Sequence, residues 1–256
     1  MDIVKTLQKQ EFRDFYNLSK SIYVYDTDFP YHSAIAVNTT SDSIHSIKFY
    51  YGTYKKIQDL SVIEQYLNKE DISYLYNIWD TENLDNKGFS FCIKYYPQKN
   101  IFKYQIHCKV VTPLSFKNLT FSNNNCRYGI GIERGDKKNY INLKDSKDKI
   151  LVSKFFNIPN LVFFDELEYC EFDNYCKVIT SYNSNKKYVL RDFLINNYVK
   201  NKKKYPSVIS TIDCLHENKR LALRNFGIYK DVDLYSLYFY LEKPNGIVDS
   251  YEPFLS

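Results

Sequence analysis

Phe102-Lys103-Tyr104-Gln105-Ile106-His107-Cys108-Lys109-Val110 alternates with period two, so Lys103, Gln105, His107 and Lys109 share one face and Phe102, Tyr104, Ile106, Cys108 and Val110 share the other. The stretch reads as a β-strand with an apolar side and a basic side. A second stretch repeats the arrangement, with Ile44, Ser46, Lys48 and Tyr50 opposite His45, Ile47, Phe49 and Tyr51. An ordinary half-buried strand turns its polar side to bulk water. Here that side carries lysine and tyrosine, which suit an anion held beside something cationic or apolar.

Working outward, the flanking residues turn these strands into hairpins. Residues 33–38 and 44–51 are joined by the polar run 39–43. Residues 89–96 and 101–111 flank Pro97-Gln98-Lys99-Asn100, and residues 127–134 and 138–144 flank Gly135-Asp136-Lys137. A fourth hairpin is expected between 175–182 and 187–190, and a last pair between 208–216 and 235–242 through a long connection at 220–233. Helical spacing is read in residues 7–19, 60–67, 72–79, 147–157, 161–169 and 191–204, with Asp71 as the N-cap of the third. Five hairpins separated by helices give about ten antiparallel strands. An open sheet would leave long unpaired edges. Closure removes them, sets the helices against the apolar side and turns the lysine and tyrosine side into a solvent-filled lumen, for which roughly eight strands already suffice. The expected fold is an α+β barrel forming a single domain over residues 1–256.

Composition narrows the class. Of 256 residues 44% are hydrophobic, and 7 Gly and 7 Pro are too few for a collagenous, linker-rich or disordered chain. The net charge of +5 accommodates a phosphate-bearing ligand without requiring one. The cysteines at 92, 108, 126, 170, 176 and 214 lack zinc-type CxxC spacing and read as buried thiols of a reducing compartment. The N-terminus has no apolar signal core and no stretch reaches the roughly 18 apolar residues of a membrane span, so a cytoplasmic protein without a membrane partner is expected. Gly129-Ile130-Gly131 lacks the continuation of a phosphate loop and lies in a strand pattern. The lysines of 200–204 read as a solvated helix end, and Asp165, Glu166 and Glu168 as a polar helix surface, so no metal ligands are assigned.

Five segments, in this order and spacing, carry a resemblance: Ser46-Ile47-Lys48-Phe49-Tyr50, the 103–109 run, Tyr128-Gly129-Ile130-Gly131-Ile132-Glu133, Lys187-Tyr188-Val189-Leu190 and Leu237-Tyr238-Phe239-Tyr240. Together they resemble the aromatic prenyltransferases built as a ring of α-β-β-α units (the ABBA barrel), and specifically the cyanobactin-type peptide prenyltransferases. The resemblance spans residues 31–243 and no segment is diagnostic alone. It implies transfer of a dimethylallyl or longer isoprenyl group from its diphosphate to a nucleophilic side chain or terminus of a ribosomally made, macrocyclic peptide, with Mg2+ as cofactor. It further implies diphosphate contacts from Lys48, Lys103, His107, Lys109, Lys187 and Arg191, and an allyl cation shield of Tyr50, Tyr140, Tyr238 and Tyr240. The chemistry fits such a set: ionisation builds negative charge on the leaving oxygens and positive charge on carbon, and water must be kept out.

Two departures stand out. The family places an acid on the first strand, whereas His32-Ser33-Ala34-Ile35-Ala36 has none, leaving His32 as the candidate catalytic base. Ser236 occupies a position where a basic residue is expected. Both keep open a catalytically impaired barrel that only binds a peptide. Lysine and tyrosine interleaved on strands also describe a single-stranded nucleic-acid platform. A charge of only +5 with carboxylates throughout disfavours a nucleic acid partner.

Overall fold

The computed structural model describes residues 3–22, 34–40, 42–55, 61–81, 89–122, 126–133, 136–181 and 221–241. Within them ten strands form one closed antiparallel barrel: β1 (Ala34–Thr39), β2 (Ile44–Lys55), β3 (Phe89–Tyr96), β4 (Ile101–Val110), β5 (Arg127–Glu133), β6 (Asp136–Leu143), β7 (Glu166–Glu171), β8 (Cys176–Ser181), β9 (Leu221–Tyr229) and β10 (Tyr235–Leu241). Every strand pairs with its neighbours in sequence, and β1 pairs with β10 through Ala34↔Tyr240 and Ala36↔Tyr238 to close the ring. Closure leaves no sheet edge to protect. Short hairpins link the strands at one end, and the long connections lie at the other.

Period-two alternation sorts the side chains. Ile47 and Phe49 of β2, Phe91 and Ile93 of β3, and Ile106 and Cys108 of β4 point outward into the main hydrophobic core. There they meet α1 (Ile3–Leu7) and α2 (Gln10–Ile22), whose Ile3, Leu7, Phe12, Phe15 and Tyr16 are buried. Phe15 sits with its ring 4.9 Å from Phe91 and 5.8 Å from Phe49. The single helix expected at 7–19 is therefore two, broken at Gln8 and Lys9. Helices α3 (Ser61–Glu64) and α4 (Lys69–Thr81) follow β2, and α5 (Ser146–Phe156) follows β6. The cap of α4 is Asn68, whose side chain accepts from the Asp71 amide at 2.7 Å, while Asp71 itself is buried.

Three expectations are corrected. Residues 161–169 are a short 3-10 turn at Pro159–Phe163 followed by β7, because Leu167 and Tyr169 alternate with Glu166, Glu168 and Cys170 at the strand period. Glu166 and Glu168 thus lie on a strand, not on a polar helix surface. The hairpin at β8 is made with β7 (Glu171↔Cys176), across Phe172-Asp173-Asn174-Tyr175, and not with residues 187–190. The partner of β10 is β9, within the stretch expected to be a connection. Residues 187–190, 191–204 and 208–216 lie outside the described residues.

No helix among the described residues is long and apolar enough to cross a membrane. The five described cysteines are free thiols, four of them buried; Cys214 lies outside the described residues.

Candidate functional site: a lysine and tyrosine lumen

The inward faces enclose a cavity of about 310 Å3, at the small end of ligand sites. Its lining includes Lys48 and Tyr50 from β2, His107 and Lys109 from β4, Lys138 and Tyr140 from β6, Glu168 and Cys170 from β7, Lys177 from β8, Tyr229 from β9, and Tyr238 and Tyr240 from β10. Glycines make the space. A Cβ at Gly131 would lie 2.7 Å from the Tyr140 hydroxyl and 3.1 Å from His107 Nδ1, so those two side chains occupy room that only glycine leaves. Gly227 does the same for Lys177, whose Cε a Cβ would strike.

Toward the hairpin end the cavity is backed by Glu133, the last residue of β5. Its carboxylate accepts from Lys94 Nζ and Lys138 Nζ at 3.1 Å each, from the Tyr96 hydroxyl at 2.8 Å and from Gln105 Nε2 at 3.1 Å. Burial alone would raise this carboxyl, but the ammonium groups of Lys138, Lys94 and Lys48 overcome it and hold Glu133 well below the usual carboxylate range. Toward the long-connection end the lining reaches Arg127 and Glu166, both exposed, which marks the mouth.

Charge in this lumen is unbalanced. Lys48, 5% exposed, donates to Gln105 Oε1 at 3.2 Å, and Lys177, 3% exposed, donates to the Tyr238 hydroxyl at 2.6 Å. Among the described residues neither is in salt-bridge contact with a carboxylate; Glu133 acts on Lys48, and Glu168 on Lys177, only through space. An ion pair at about 4 Å is worth ~4 kcal/mol at an effective dielectric of about 20, similar to the several kcal/mol that burying one ion costs. Glu133 and Glu168 therefore offset only part of the lysine cluster. The consequence is visible in their acidity: burial, with the Lys138 charge next, pushes Lys48 down to about 8, and burial pushes Lys177 down to about 7. An arriving anion would relieve both.

The tyrosines are interleaved with the lysines. Lys177 Nζ stands 4.9 Å from the Tyr238 ring centroid and 5.1 Å from that of Tyr229. Burial drives the Tyr50 and Tyr238 hydroxyls well above their ordinary value, so both stay neutral. Tyr50, with Ala34, Ala36 and Cys92, makes a small apolar cluster against which Tyr238 and Tyr240 pack. His107 lies between Tyr50 and Tyr140, 5.9 and 5.5 Å from their ring centroids, and burial followed by the Lys138 and Lys48 charges keeps it neutral.

Of the residues named from sequence, Lys48, His107, Lys109, Tyr50, Tyr140, Tyr238 and Tyr240 meet on this wall. Lys103 lies beside it, paired with Lys94 across the sheet and 5.8 Å from the Tyr96 ring. His32, Lys187 and Arg191 lie outside the described residues. Ser236 faces inward and hydrogen-bonds the Asn38 amide oxygen, so this row is a neutral polar one. Sequence reasoning did not single out Lys94, Lys138, Lys177 or Glu133, and it read Glu168 as part of a polar helix surface. The first four sit at alternate positions of stretches already read as strands, a usable signal, whereas Glu168 was hidden by the helical reading of residues 161–169.

Among the described residues no group of three or more His, Cys, Asp or Glu is placed to hold a metal, and the Glu133 oxygens are taken by ammonium groups. Comparison with known proteins gives no matching family model and no curated relative with a significant match.

Proposed function

We propose that the barrel is a peptide prenyltransferase of the ABBA kind, binding an isoprenyl diphosphate in its lumen and passing the allyl group to a peptide nucleophile presented at the mouth. The observation that carries this reading is the pair of buried lysines without a salt-bridge contact, Lys48 and Lys177, set among neutral tyrosines in one cavity. Cations and π faces side by side match the two charges that ionisation creates.

In this reading the bond from the allylic carbon to the diphosphate oxygen breaks, and its electron pair leaves with the diphosphate, which Lys48 and Lys177 neutralise. The rings of Tyr50, Tyr140, Tyr238 and Tyr240 flank the allyl cation until the nucleophile closes a new bond to carbon. The nucleophile's proton goes to a carboxylate. Glu168 suits that role: it lines the cavity, accepts from the Cys170 thiol at 3.5 Å, and burial raises its carboxyl. It supplies from β7 a carboxylate that the first strand lacks. Magnesium, expected from the resemblance, would enter as a counter-ion of the diphosphate, and no step here depends on it.

A nucleic-acid platform requires lysines and rings on an open face, whereas Lys48 and Lys177 are enclosed. Incubation with dimethylallyl diphosphate and a panel of macrocyclic peptides, with and without Mg2+, tests the proposal by mass spectrometry. A peptide gaining one dimethylallyl group, lost in Glu168→Gln with donor binding retained, supports it. Donor binding without any transfer would leave the lumen a binding site and remove the transferase assignment.

A further inference from the structure

Behind the cavity, Glu133 is an anion already seated among cations. Four donors converge on its two oxygens: Lys94 and Lys138 Nζ, Gln105 Nε2 and the Tyr96 hydroxyl, all between 2.8 and 3.1 Å. It is 2% exposed. Such a cradle of charged and neutral donors suits a phosphoryl group as well as a carboxylate. The strand pairing explains how it forms. Glu133 and Asp136 face one another across the β5–β6 turn, and Lys138, two residues on, returns to the inward face beside Glu133. Lys138 also lines the cavity, so the same ammonium stands between the resident carboxylate and any ligand.

We infer that Glu133 is a resident counter-anion that sets the size and charge of the ligand: by engaging Lys94 and Lys138 it leaves Lys48 and Lys177 for a diphosphate and excludes longer polyphosphates. The inference builds on the anion-binding part of the proposed function and is independent of prenyl transfer. Without the Glu133 charge, Lys138 is free to turn into the cavity with Lys94 behind it. The lumen then gains a second phosphoryl subsite next to the first.

Calorimetric titration of the full chain with inorganic pyrophosphate and with inorganic tripolyphosphate tests this. The proteins are wild type, Glu133→Gln, and the double variant Glu133→Gln/Lys94→Met, which restores the lumen's charge count where the single variant folds poorly. Circular dichroism checks folding in each. The wild type is expected to prefer pyrophosphate, and either variant to shift the affinity ratio toward tripolyphosphate by about tenfold, the equivalent of one modest ionic contact. An unchanged ratio in both folded variants overturns the inference and makes Glu133 a structural salt-bridge residue. A wild type that binds neither anion removes the diphosphate reading of the lumen. Glu133→Gln that then binds tripolyphosphate would still support the gatekeeping role, and one that binds nothing would overturn it.

Discussion

Single side chains in this barrel are placed by what their neighbours lack. Lys177 runs through the notch at Gly227, and Tyr140 through the one at Gly131. At Gly227 the obstructed atom is the far part of a flexible lysine, with the Ser236 Cβ at 3.1 Å behind it. Gly227→Ala is therefore predicted to keep the fold while pushing Lys177 off the Tyr238 hydroxyl. Pyrophosphate affinity should fall about tenfold, in line with the loss of one charge-assisted contact. Calorimetry beside a thermal melt checks this, and an unaltered affinity would mean that Lys177 does not serve the anion.

At the level of elements, the side chains that fix the barrel's outside are as particular as those within. Residues 111–122 carry no helix or strand, yet they are held to β7 by Glu171, which accepts from the Lys117 amide at 2.6 Å and the Asn118 amide at 3.0 Å. Phe116 and Phe121 pack on Tyr169 at ring distances of 5.6 and 5.4 Å. Glu171→Ala would remove both charge-assisted bonds, and a loss of roughly 1–3 kcal/mol is predicted from the usual worth of hydrogen bonds to a charged group. Chemical denaturation measures it, and a change below about 0.5 kcal/mol, the scale of a neutral surface substitution, would contradict the anchoring role. The strands β1 to β6 were legible in sequence because Lys48, Tyr50, Lys103 and His107 alternate cleanly with Ile47, Phe49, Tyr104 and Ile106. β7 was not, because Leu161, Phe164, Leu167 and Tyr169 also satisfy a helical spacing, and short apolar runs leave the two periods unresolved. That misreading displaced the partner of β8 and hid Glu168. The alternation placed the members of the network around Glu133 on inward faces, but which of them meet across β3, β4, β5 and β6 follows from register, which the sequence does not carry.

For the whole molecule, a closed lumen with more buried lysines than carboxylates couples stability to pH and to anions. Lys48 and Lys177 fall to about 8 and about 7 in the fold from an ordinary 10.5. Between those values and 10.5 the unfolded chain binds more protons than the native one, so stability rises with pH across that window. Glu133 works at the other side, contributing stability above its ordinary value near 4.5 that is lost as pH falls below it. The ligand-free protein is predicted to melt higher at pH 9 than at pH 7, and pyrophosphate to stabilise it more at pH 7 than at pH 9. A flat or inverted thermal profile between these pH values would contradict the lysine assignment. Ligand binding tests the central claim most directly. Wild type and Lys48→Met would be titrated with a non-hydrolysable dimethylallyl diphosphate analogue, with and without magnesium, alongside a single-stranded oligonucleotide. Saturable binding of the analogue to wild type, weakened about 10- to 100-fold in a folded Lys48→Met, is the predicted result. Binding of the oligonucleotide alone, or equal analogue affinity in both proteins, would contradict a diphosphate site in the lumen.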